Sequence, residues 1–170
     1  MDIIVEDGTG LPTANSYIAV ADAVDLLSTN MYATFGTLDP TVQANLLMWA
    51  SRVLDERVRW HGHKFQPTSG LAWPRFNVRD REGCHIDWDV VPQAVKTATA
   101  ILANHFVTAG ADPDAADTTI NLTSLKVDVI SFTYDPKILK ERWTPEIQYI
   151  LDGLGWVSMG RGGPKYIVRH

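Results

Sequence analysis

Trp60, Trp73 and Phe76 stand among Arg57, Arg59, Lys64, Arg75, Arg79 and Arg81. Aromatic rings interleaved with cations can stack on bases while the charges neutralise phosphates, so chemistry is first sought here. The opposing consideration is that tryptophan is more often a core anchor whose indole N–H finds a carbonyl. In "LAWPR", Pro74 biases Trp73 towards extended backbone, which suits a loop docked against helices. Trp73 and Pro74 therefore read as structural anchors. The six cations read as a basic surface turned towards a neighbouring subunit or towards DNA.

Other chemistries find less support. His61 and His63 alternate, so on an extended segment both reach one side, but Cys84 and His85 are adjacent and no C-x-x-C pair exists. No metal site is assigned. "EDGTG" resembles a phosphate-cradling loop, yet no lysine follows and Pro12 interrupts, so a turn is expected. No G-x-S-x-G elbow surrounds a serine, and the carboxylates follow no paired pattern. His105 sits on an apolar helical face and reads as a core residue. No catalysis and no cofactor are expected.

The net charge of -5 and pI near 5.4 argue against wholesale binding of a polyanion. Charge is uneven, however. Residues 52–81 hold seven basic against three acidic side chains, a local +4 that leaves -9 for the rest. One basic face on an acidic body suits an oriented subunit. No apolar run reaches the roughly 20 residues needed to cross a bilayer, and "MDIIVEDG" lacks the basic region of a signal peptide. Cys84 is alone, which excludes an internal disulfide and suits a reducing cytosol.

The elements that must position these residues are mainly helical. Val20, Ala23, Val24 and Leu27 mark a first short helix. Asp39 as cap and Pro40 at the first position open a second, with Val42, Leu46, Trp49, Val53 and Leu47, Ala50, Leu54, Val58 as a broad apolar stripe ending near Trp60. A third follows Pro92 and stops before Gly110. The small residues Ala94, Ala98 and Ala103 would let it approach neighbours closely. A short helix is capped by Thr144 with Pro145 at its first position. Between them, Leu125, Val127 and Val129 alternate in one phase and Ile130, Phe132 and Tyr134 in the other, implying a bulge or bend. The expected fold is a helical bundle with a small β element, a hairpin or arm near 122–134, and extended N- and C-terminal segments. One domain over 1–154 is followed by a flexible tail, 155–170, whose Tyr166-Ile167-Val168 lies among Arg161, Lys165 and Arg169. Such a segment can order on a partner.

The order of "VEDGTGLPTANSYIAVADA", "DERVRWHGHKF", "LAWPR", "RDREG" and "VPQAVKTATAILA" resembles a family of small tailed-bacteriophage proteins. That family includes head–tail connector (adaptor, head-completion) proteins and is often labelled DnaT-like single-stranded DNA-binding. The resemblance covers about residues 3–106, with weaker echoes near 125–134 and in "GGPKYIVR". It implies a virion protein, assembled in the host cytoplasm as a dodecameric ring of twelve subunits under the portal. Its partners would be the portal protein, a downstream tail-completion or stopper protein, and transiting genomic DNA met without sequence specificity. Arg161, Lys165, Tyr166, Ile167, Val168 and Arg169 would then contact the portal, and "LAWPR" would be a structural signature. The alternative is a single-stranded DNA-binding accessory protein of phage replication.

Overall fold

A computed structural model describes residues 2–31, 33–109, 124–127, 130–133 and 145–157. Its helices are α1 (Val20–Leu27), α2 (Pro40–Arg57), α3 (Gln93–Ala109) and α4 (Pro145–Ile150), with a 3₁₀ turn at Phe35–Thr37. Helix α2 starts where its sequence says: the Asp39 carboxylate accepts from the Thr41 N–H at 2.8 Å, and Pro40 needs no such partner. Helix α3 packs against α1, α2, α4 and the 3₁₀ turn, so it is the central element. Val95, Ala98, Leu102, Ala103 and Phe106 bury its inner face. Asn104 on the same helix accepts from the Thr34 and Phe35 N–H groups at 3.0 and 3.1 Å, while Gln43 of α2 donates to the Phe35 carbonyl. The 3₁₀ turn is thereby tied to both long helices.

The expectation of one β element falls short. Three antiparallel two-stranded ribbons are present among the described residues, so the fold is mixed: helices α1–α4 share the core with the strand residue Val58 and with loop residues such as Tyr17, Trp73 and Val78. Strand β1 (Val58–Trp60) pairs with β6 (Gly155–Val157), β2 (His63–Lys64) with β3 (Arg75–Phe76), and β4 (Ser124–Val127) with β5 (Ile130–Thr133). The helical period seen through Trp60 thus stops at Arg57. The next three residues are extended, and the β-branched and aromatic Val58 and Trp60 suit a strand. Gly155–Val157, assigned to the tail on sequence, closes this ribbon. In β4–β5 the register sets Leu125 opposite Phe132 and Val127 opposite Ile130. Two residues between strands invert the parity, so the phase slip near 130 marks a hairpin, not a bulge within one strand.

The apolar stripe of α2 is narrower than its sequence suggests. Leu47, Ala50, Val53 and Leu54 are buried, but Val42 is exposed, and polar Gln43 and Ser51 take buried places. His105 is half-buried, at the edge of the core.

Candidate interaction surface

The polar groups around the "LAWPR" loop are first of all structural. Tyr17, buried completely, donates from its hydroxyl to Asp55 Oδ1 at 2.5 Å, and Trp60 Nε1 donates to the same oxygen at 3.3 Å. Asp55 Oδ2 accepts from the Ala72 N–H at 2.8 Å. The Tyr17 oxygen in turn accepts from the backbone of Ala72 and Trp73. One carboxylate on α2 therefore joins the N-terminal segment, β1 and the "LAWPR" loop. Burial raises its pKa to about 6 against these hydrogen bonds, and burial also pushes Tyr17 well above the ordinary phenol range.

Trp73 is 0% exposed and meets Trp60 edge-on at 5.8 Å between ring centroids. Its peptide bond to Pro74 is cis. The indole N–H groups of Trp73 and Trp49 are buried without a hydrogen-bond partner, whereas Trp60 has one. The expectation that each buried indole finds a carbonyl is thus corrected: Trp60 uses a carboxylate, and the other two are held by packing alone.

The basic surface is partly spent inside the fold. Arg75 donates from Nε to the His61 carbonyl at 2.7 Å, from Nη1 to Ala72 at 3.1 Å and from Nη2 to Gly62 at 2.9 Å. Desolvation lowers its pKa, against support from Tyr17 and Asp55. Its guanidinium is a clamp between the β1–β2 turn and the "LAWPR" loop. Lys64 donates to the Ser69 carbonyl at 2.7 Å, and Arg79 to that of Gly83 at 2.8 Å. Arg81 pairs with Asp152 at 3.6 Å between exposed side chains. The side chains of Arg57 and Arg59 have no hydrogen-bond or ion-pair partner among the described residues, and Arg59 is exposed. Of six predicted cations, these two alone keep their donors unassigned there.

The "EDGTG" turn resolves an old ambiguity from within. Glu6, only 2% exposed, accepts through Oε1 from the N–H groups of Gly8 and Gly10 and through Oε2 from that of Leu11. Both glycines have positive φ, 103° and 75°, and converge these N–H groups on one point. The loop binds an anion, but the anion is its own side chain.

What faces outward is aromatic. Trp88 stacks on Phe65 at 4.8 Å and lies 5.8 Å from Phe76, and it remains 48% exposed. Trp156 of β6, 60% exposed, sits opposite Arg59 and edge-on to His61 at 5.3 Å. A cleft of about 700 Å³ opens beside α2, lined by Asn45, Met48, Trp49, Arg52, Asp55 and Leu71 among others. His61 is engaged with the Gly153 carbonyl, and among the described residues no three His, Cys, Asp or Glu side chains group around a common point. Among those residues, too, no helix is long and apolar enough to cross a membrane. Arg161, Lys165, Tyr166, Ile167, Val168 and Arg169 lie outside the described residues, as does the Thr144 cap.

Sequence reasoning missed Glu6, Tyr17, Asp55, Trp88 and Trp156. Asp55 was discoverable: it follows Leu47 and Ser51 at four-residue steps along the buried face of α2. Trp88 and Trp156 carried no comparable signal, because their exposure is set by distant loops and strand pairing.

With this geometry in hand, comparison with known proteins gives one positive result. A family model described as "Putative DnaT-like ssDNA binding protein" matches residues 1–170, and the chain belongs to that family. No curated protein and no solved structure matches the chain.

Proposed function

We propose, on the sequence resemblance and on where the structure leaves its side chains rather than on the family's description, that the protein is a structural subunit of a tailed-phage virion. It acts as a head–tail connector that assembles as a ring beneath the portal and joins the DNA-filled head to the tail, without catalysis. The observation that carries this reading is the fate of the signature residues. The side chains of Glu6, Tyr17, Asp55 and Arg75 satisfy one another or the backbone inside the scaffold, and Trp73 is packed wholly within it. The polar groups of those four are thereby committed to holding the fold. Large apolar side chains remain outside, including Trp88, Trp156 and Tyr149, as a protein-binding subunit requires. In this role the segment from Arg161 to Arg169 contacts the portal, and a stopper or tail-completion protein binds the opposite side. DNA passes an acidic wall that does not retain it. Electron microscopy of the chain mixed with portal protein should show bound rings, and deletion of residues 161–170 should abolish docking. Normal docking of the shortened chain removes the tail assignment, and failure of the full chain to dock removes the connector.

A second reading is favoured by the family description and by the stacked rings of Phe65, Trp88 and Phe76. In it the exposed indole stacks on bases of single-stranded DNA. Fluorescence titration with an oligonucleotide discriminates. Affinity that falls steeply with salt and is lost on Trp88→Ala supports it, and no binding at low salt eliminates it.

A further inference from the structure

Two exposed edges differ in charge and are alike in presenting a fixed tryptophan. On the first, stacking against Phe65 and contact with Phe76 hold Trp88 outward, and exposed Asp87 and Asp89 flank it in the chain. On the second, Arg59 and Trp156 are partners across the β1–β6 register, so their side chains share one face of the ribbon. Both are exposed, and His61 braces the indole from the side. The carboxylate beside this second edge, Asp152, already pairs with Arg81. Arg59, Asp87 and Asp89 have no hydrogen-bonding or ionic side-chain partner among the described residues.

We propose that the Asp87–Trp88–Asp89 edge of one copy receives the Arg59–Trp156 edge of a second copy. A contact between unlike patches of identical chains is what head-to-tail closure into a ring requires. The chemistry fits in three ways. A guanidinium fork matches a carboxylate, and it can lie flat on an indole. Tryptophan and arginine are also the residues that most often dominate interface energies. Each tryptophan is braced by its own aromatic neighbours, so the two indoles lose little freedom on contact. This inference rests on the reading of the protein as an assembling subunit, and it names the contact that assembly would use.

The test is sedimentation velocity of the full chain over a concentration series, with circular dichroism to confirm folding. Arg59→Glu alone and Asp87→Arg/Asp89→Arg alone should each weaken self-association by about tenfold or more. The combination of all three changes should restore it to within a few-fold of the unaltered chain. A chain that stays monomeric, single reversals without effect, or a combined variant that is not rescued would each overturn the contact. Portal docking, scored separately by microscopy, keeps the two ideas apart. Rings on the portal that are indifferent to Arg59→Glu sink the contact and spare the connector. Charge-dependent self-association without portal binding does the reverse.

Discussion

Replacing Asp55 by asparagine offers the sharpest probe of the buried node. The substitution keeps the shape and removes the charge. Asp55 has a folded-state pKa of about 6 against 3.8 for the free side chain, because burial disfavours the carboxylate more than Tyr17, Ala72 and Trp60 support it. The sign follows from proton counting. Between pH 6 and 3.8 the folded chain holds a proton that the unfolded chain has released, so this group makes stability rise as pH falls. Above pH 6 both states are ionised and the full cost of burying the charge applies. A shift of about two pKa units corresponds to about 3 kcal/mol, of which about 2 kcal/mol is recovered by pH 4.5. Asparagine has no such term, but its amide nitrogen cannot accept from the Ala72 N–H. Urea denaturation followed by tryptophan fluorescence, at pH 7.5 and 4.5, should therefore show the gap between wild type and Asp55→Asn move by about 2 kcal/mol in favour of wild type at the lower pH. A gap that does not change, or that moves the other way, refutes the reasoning.

Three further substitutions bear on the same region. Trp73→Ala should cost about 3–5 kcal/mol of stability, measured by urea denaturation, since the ring is wholly buried and its removal leaves a cavity. Arg75→Ala and Arg75→Lys should both destabilise by about 1–3 kcal/mol, because an ammonium cannot reproduce a fork that grips three carbonyls; a silent lysine variant, read as an unchanged melting curve, contradicts the clamp. Tyr17→Phe should cost about 1–3 kcal/mol and speed amide exchange at Trp73, whose N–H would lose its hydroxyl acceptor.

Much of the helical scaffold was legible because its signals are local. Asp39 and Pro40 mark the start of α2, and Pro92 and Gly110 bracket α3. The β4–β5 ribbon falls where a hairpin or arm was expected, near 122–134, but the other two were not legible: β1 finds its partner β6 nearly a hundred residues away, and both strands are only three residues long. No period can establish itself over that length. Arg75 shows a different limit. A charged residue in a polar stretch looks solvent-directed, and only the fold reveals that three carbonyls from its own loops surround it. Asp55 lies between these cases, since its spacing along α2 was visible but its hydroxyl partner sits in another segment.

The loop around Glu6 is an anion receptor whose ligand is supplied by its own chain. Converging N–H groups from Gly8, Gly10 and Leu11 would otherwise be orphaned in the interior, and the carboxylate neutralises that demand at an effective concentration no solute can match. Shortening Glu6 to glycine should therefore create a guest site for a small free carboxylate. Formate or acetate added to that variant should restore part of its lost stability, while chloride at equal ionic strength should not. Chemical rescue of this kind would explain why the stretch looks like a phosphate loop: its N–H groups do converge on an anion, and Glu6 holds the seat.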